Sequence, residues 1–99
     1  MVPTAQTFIP NSAVSSQITP SRAERRALYI RNYAASVGTM WLAFGATATA
    51  GANGEMEILP GGEYNWNGLL GPLQGTVPLE SINIIISGGA ATGCVVEFL

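Results

Sequence analysis

Few side chains in this sequence could carry acid–base, nucleophilic or ligand chemistry. There are six glutamates, four arginines and one cysteine, and no histidine, aspartate or lysine. The Ser/His/Asp triad and the paired-Asp site are therefore excluded. The nearest approach to a carboxylate pair is Glu55, Glu57 and Glu63, which a hairpin would bring together. Such a group can act as acid and base, or hold calcium. The plainer reading is that alternating glutamates solvate the outer face of a strand, and no oxygen-rich calcium loop accompanies them. Cys94 sits in an apolar stretch with no histidine to activate it, which reads as a buried, inert thiol. The glycine-rich "GATATAGANG" lacks the Lys-Ser/Thr ending of a phosphate loop. Trp41, Tyr64 and Trp66 could stack on sugars or bases, but such residues more often anchor a core or an interface. The expectation is a protein that is not an enzyme and has no cofactor and no metal.

The arginines are the remaining chemistry. Arg22, Arg25, Arg26 and Arg31 all fall within "PSRAERRALYIRN". A nucleic-acid patch is one reading, but four cations on a chain of net charge −2 would bind weakly and with strong salt dependence. A surface ion pair with Glu24 is a second, and is worth little by itself. A protein interface is the preferred third. Arginine makes bidentate bonds to carboxylates and is enriched at protein contacts. Arg25, Arg26 and Arg31 are the candidates, joined by Phe8 and Ile9, the large apolar pair of the N-terminal segment.

Charged residues make up 10% of the 99-residue chain, against about 25% in an average domain, while hydrophobic residues make up 47%. One modest core is expected. So sparse a charge leaves little to keep a free monomer in solution, so burial against a partner is expected. Tyr33 to Ala52 is uncharged and of membrane-spanning length, but it is mainly Ala, Gly and Thr and no basic cluster orients it. "MVPTAQTFIPNS" has neither the basic nor the apolar part of a secretory signal, so folding in a cytoplasm is expected.

The elements follow from periodicity. Met1 to Ser12 has Pro3 and Pro10 and no alternation, and reads as an extended arm, residues 1–12, outside a single domain of residues 13–99. Ala13 to Thr19 alternates weakly. Ser21-Arg22-Ala23-Glu24 is a capping box, read as one short helical turn before a strand from about Arg26 to Asn32. "TMWLAFG" puts Met40, Leu42 and Phe44 on one face. Asn53-Gly54 is a hairpin signal, "EMEIL" and "EYNWN" alternate, and "GLLGPLQGTVP" is loop. "SINIIIS" puts Ile82, Ile84 and Ile86 on one face, and Gly88-Gly89 turns the chain into "GCVVEFL". Short strands spaced by turns give an all-β antiparallel sandwich or barrel. Ile30, Leu42, Phe44, Ile84, Ile86 and Val96 are the expected core.

"PSRAERRALYIRNYAASVGTMWLAFGATATA", "MEILPGGEYNW" and "VPLESINIIISGGAATGCVVEF" together resemble a group of small tailed-bacteriophage virion proteins. The matching positions are Pro20, Ser21 and Arg22 in a turn, Ile30 and Asn32 closing a strand, and Phe44 and Gly45 closing the next. Pro60, Gly61 and Gly62 match before an aromatic strand, and Gly88 and Gly89 in the last hairpin. The likeness runs from about Ile18 to Phe98. It implies a jelly-roll-like sandwich that decorates or cements a capsid shell. It also implies a virion protein made in the host cytoplasm, whose partner is the major capsid protein. A homo-oligomer, dimer or trimer, is expected from the charge poverty, with no nucleic acid and no membrane. The alternative is a tail or fibre module that binds a receptor or glycan, and a small holin-type membrane protein is the third reading.

Overall fold

The computed structural model describes residues 5–51, 56–66 and 77–99. The Asn53-Gly54 signal, Glu55 and most of the "GLLGPLQGTVP" loop lie outside the described residues. Eight strands form: β1 (Ala5–Ile9), β2 (Ser16–Thr19), β3 (Ala27–Asn32), β4 (Thr39–Phe44), β5 (Met56–Ile58), β6 (Glu63–Trp66), β7 (Ile82–Ser87) and β8 (Gly93–Phe98). They make two separate four-stranded sheets, ordered β1-β8-β3-β6 and β2-β7-β4-β5, and every pairing is antiparallel. No helix occurs among the described residues, and the sheets do not join into one closed barrel.

One core lies between the sheets. Ile9, Leu28, Ile30 and Val95 come from the first sheet, and Met40, Leu42, Ile58, Ile82, Ile84 and Ile86 from the second. Period-two alternation explains the selection: Leu28 and Ile30 point inward while Tyr29 and Arg31 point outward. The isoleucines of β7 do the same, and β-branched residues suit a pleated surface packed on one side. Phe44 is partly buried and meets Trp66 edge-on, with centroids 5.6 Å apart and planes at 88°. Tyr64 lies 6.0 Å from the same ring.

Three expectations change. Residues 5–9 are an edge strand, not part of an arm. Ala5, Thr7 and Ile9 face inward, the β1 backbone pairs with β8, and Ile9 is fully buried. The alternation is present in "AQTFI" but muted, because Thr7 stands where an aliphatic residue would have announced it. Ser21 to Glu24 is not helical. The chain makes a single turn there, with the Arg25 N–H donating to the Arg22 carbonyl at 3.3 Å. The Arg26 N–H then donates to the Phe98 carbonyl, which commits the chain to β3 before a helix could propagate. Val96 points outward and Val95 inward, because β8 is set one residue out of the expected phase.

The connections define two ends. At the apical end lie the β1–β2, β3–β4, β5–β6 and β7–β8 connections. At the basal end lie the β2–β3 connection, the ends of β4, β6 and β8, and the starts of β5 and β7. Because β5 and β6 belong to different sheets, the Pro60-Gly61-Gly62 turn is a crossing between sheets and not a hairpin.

Ile9→Ala is expected to lower stability by about 2–5 kcal/mol in chemical denaturation, as for a buried aliphatic truncation. A loss under about 0.5 kcal/mol would return residues 5–9 to the status of an arm.

Candidate contact surfaces

The basal end is built around a buried carboxylate. Alternation along β8 turns Glu97 inward beside Val95, and it is fully buried. The Arg25 side chain, also fully buried, donates from Nε and Nη2 to Glu97 Oε2 at 3.0 and 2.9 Å. Its Nη1 donates to the carbonyls of Pro78 and Glu80 at 2.6 and 3.0 Å. Nη2 also reaches the Pro20 carbonyl at 3.2 Å and Thr19 Oγ1 at 3.4 Å. Arg22 Nε stands 2.9 Å from the same Glu97 oxygen as an ion-pair neighbour, though its N–H is not aimed along a hydrogen bond. One guanidinium thus ties the turn after β2, the approach to β7 and the end of β8 together.

This placement accounts for half of the arginine cluster. Arg25, expected at an interface, lies inside the domain, so no partner carboxylate can reach it in this fold. Ile9 is likewise in the core. Arg26 is exposed at the basal end, and Arg31 is exposed on β3 opposite Glu63. Phe8 is 59% exposed on the outer face of the first sheet, in register with Cys94 and, one strand further, Arg31. Cys94 is buried on that same outer face, and not among the core residues between the sheets. Arg31 and Phe8 therefore lie near each other, while Arg26 is at the far end of the strands.

Glu57 and Glu63 are not brought together. Glu57 is on the outer face of the second sheet and Glu63 on that of the first. Among the described residues, no three His, Cys, Asp or Glu side chains are grouped closely enough to hold a metal ion. Trp66 lies in the core, whereas Trp41 lies on the outer face of the second sheet and donates from Nε1 to Ser87 Oγ at 2.9 Å. A shallow polar groove beside that face is lined by Ser15, Gln17, Thr47, Ser81 and Asn83 among small residues, with no aromatic floor on which a sugar could stack. No helix among the described residues is long and apolar enough to cross a membrane.

The apical end has the opposite character. Its connections, residues 10–15, 33–38, 59–62 and 88–92, contain no charged residue. They carry Val14, Val37 and Leu59, which are 67%, 73% and 57% exposed. The buried Asn32 holds this end together. Its Nδ2 donates to the carbonyls of Gly38 and Ile58 at 3.1 and 2.9 Å, and its backbone exchanges hydrogen bonds with Gly61 and Gly62. The N–H groups of Val37 and Gly38 both donate to the Ala90 carbonyl at 2.9 Å, and the Ala91 N–H donates to Asn11 Oδ1 at 3.2 Å. Gly38 passes so close to Gly89 that a Cβ would collide with the Gly89 carbonyl. The sequence reading missed this end. Its signal was available as short uncharged connections that each hold one aliphatic residue or several alanines and glycines.

Comparison with protein families, with curated proteins and with solved structures finds no match to the chain.

The outer face of the first sheet carries the resolved electrostatic perturbations. The Tyr29 hydroxyl is pushed above its ordinary value, first by its hydrogen bond to the Glu63 carboxylate, then by burial and the Glu63 charge, with Arg31 opposing. Tyr33 is pushed up by its hydrogen bond to Cys94, then by the negative charge that a Cys94 thiolate would place beside it and by burial, again opposed by Arg31. A raised folded pKa means that the fold favours the protonated phenol. The Tyr29 contribution is therefore intact below about pH 10 and is lost as pH rises through the folded value.

Two outcomes follow for these groups. Glu97→Ala leaves the Arg25 guanidinium buried without its carboxylate and is expected to cost about 3–5 kcal/mol in denaturant unfolding, whereas the exposed Arg26→Ala should stay within about 0.5 kcal/mol. In an ultraviolet titration, Glu63→Gln should move the Tyr29 ionisation down toward the ordinary value. An unchanged Tyr29 midpoint would mean that Glu63 does not hold the phenol.

Proposed function

We propose that this protein is a structural component of a bacteriophage virion, a decoration or cement protein that binds and stabilises the capsid shell. The observation that carries the reading is the strand order. Pairs β1·β8, β2·β7, β3·β6 and β4·β5 are the rungs of one long antiparallel ribbon, and β3·β8 with β4·β7 are the pairings made when that ribbon wraps on itself. This supports describing the fold as an eight-stranded jelly-roll sandwich, an architecture used in viral capsid and lectin domains. The step from architecture to role is made by analogy. It is joined by the resemblance of the segment from Ile18 to Phe98 to small tailed-phage virion proteins.

The features needed for such a role are a rigid body and surfaces that a lattice can cover. The shared core and the tied connections at both ends provide the first. Exposed Phe8, Val37 and Leu59 on a charge-poor chain suit the second. Phe8, Arg26 and Arg31 are the residues expected at a contact that remain on the surface. The accompanying proposal of a closed dimer or trimer draws on the outer face of the first sheet. Phe8, Tyr29, Val96 and Phe98 are at least partly open to solvent there, on a face where an antiparallel sheet in water usually carries polar side chains. For the alternative, a glycan-binding tail module, the groove beside β7 is polar but has no aromatic platform, so the capsid reading is preferred.

The test is binding to shells assembled in a phage deleted for this protein. Purified protein should sediment with those shells, saturate at a fixed ratio to the shell subunit, and raise the temperature at which the shells break open. Absence of binding to shells, together with recovery of the protein on purified tails, would replace this reading with the tail alternative.

A further inference from the structure

We infer that β1 is a self-pairing edge: the β1 strands of two copies join antiparallel about Thr7, so that the two first sheets run on as one. This names the contact of a closed dimer and does not depend on the capsid reading.

The free backbone groups come first. In the β3–β8 ladder the Tyr33 N–H donates to the Thr92 carbonyl, so by alternation Thr92, Cys94 and Val96 turn their backbone groups toward β3. Gly93, Val95 and Glu97 then turn theirs toward β1, where they meet Ile9, Thr7 and Ala5. The N–H and C=O of Gln6 and Phe8 point the other way, off the edge of the sheet. Among the described residues none bonds them there.

Sheet edges are ordinarily guarded against such pairing by charge, proline, a bulge or shortness. The other three edges here are. β2 is broken by a bulge between Gln17 and Thr19, β5 is three residues long and exposes Glu57, and β6 exposes Glu63. β1 is the longest of the four edge strands, keeps one register with β8 over all five residues, and has no charge, proline or bulge. Its Phe8 also stands 59% exposed.

The fit of the segment to itself selects the occupant. Gln6 and Phe8 lie symmetrically about Thr7. A two-fold axis at Thr7 therefore sets Gln6 of each copy against Phe8 of the other, and both pairs exchange N–H···O=C bonds, which uses every free backbone group of Gln6 and Phe8. Ala5 falls opposite Ile9, and the two Phe8 rings become diagonal neighbours within reach of each other on the outer face. No like charges meet. A strand of another protein would satisfy the same backbone groups, but it would not account for Thr7. That residue stands at an inward position, half-buried, where an isolated domain would favour an aliphatic side chain. Against its own copy it gains a Thr–Thr cross-strand pair, which is favourable.

The experiment is sedimentation velocity of the full chain over a micromolar concentration series, with the parent, the double variant Gln6→Lys/Phe8→Lys and the double variant Gln6→Glu/Phe8→Lys. Both side chains are exposed, so both variants should keep the parent's circular dichroism. The parent should dimerise. The first variant sets lysine against lysine twice and should weaken the dimer about tenfold or more; the second sets glutamate against lysine twice and should return it to within about threefold of the parent. In the parent, the Gln6 and Phe8 amides should exchange hydrogen more slowly as concentration rises. A parent that stays monomeric overturns the inference. So does a dimer that the paired lysines leave intact, which would place the contact elsewhere. Equal weakening in both variants would overturn the Thr7-centred register. Binding to shells, measured separately, bears on the capsid reading alone.

Discussion

The structure depends on one inward-facing carboxylate. Val95 of β8 packs in the core, and period two then obliges Glu97 to face the same way. A carboxylate removed from water costs several kcal/mol unless a cation and hydrogen bonds replace its hydration. Arg25 supplies both, and its remaining N–H groups are met by carbonyls of the segments that lead out of β2 and into β7. The clustering of cations near the turn after β2 therefore has an intramolecular cause, in which Arg25 neutralises Glu97 and Arg22 stands beside them. Only Arg26 and Arg31 remain for the surface.

The consequence is a domain with two unlike ends. Polar free energy is concentrated at the base, where the charges that join distant segments are buried or adjacent. The apical end solves the same problem of joining four connections with neutral groups alone: one buried amide, several backbone hydrogen bonds, and glycines that let strands approach closely. The ties at this end are neutral, and the connections themselves carry no charged residue. An apolar surface of this kind persists on a folded protein at the risk of non-specific association.

Much of this was legible in the sequence, and the failures have a common cause. β4 and β7 could be read because their inward positions are large and aliphatic and their outward ones differ, so the period is unmistakable in Met40-Leu42-Phe44 and Ile82-Ile84-Ile86. β1 was not, because Thr7 and Gln6 blur the alternation that ends in the buried Ile9. β8 runs in the opposite phase to the one that places Val96 in the core, and a glutamate ordinarily favours the side that faces water. Only the distant Arg25 reverses that preference, and no local pattern encodes it. The capping box at Ser21 was a correct local signal that tertiary structure overrode. The Arg25 side chain is drawn to Glu97 on β8 and the Arg26 N–H to the Phe98 carbonyl, which turns the chain into β3 after a single turn. Of the contact candidates, Phe8, Arg26 and Arg31 are on the surface. The apical end escaped notice because it has no distinctive residue type, only a shared absence of charge across four segments far apart in the chain.

The strand order gives the buried pair a second role. β8 is a central strand that lies between β1 and β3. Its register must be fixed against both neighbours at once and across long stretches of chain, which is the slow kind of pairing. A slip of one residue would exchange Val95 for Val96 in the core, two similar side chains, so hydrophobic packing alone discriminates the two registers poorly. The same slip would carry Glu97 to the outer face and leave Arg25, fixed by the carbonyls of Pro78, Pro20 and Glu80, facing no carboxylate. The penalty of an unmatched buried guanidinium falls on the wrong register alone. The ion pair therefore adds to the fold less as net stabilisation than as discrimination: it decides which of two nearly equivalent alignments the last strand adopts.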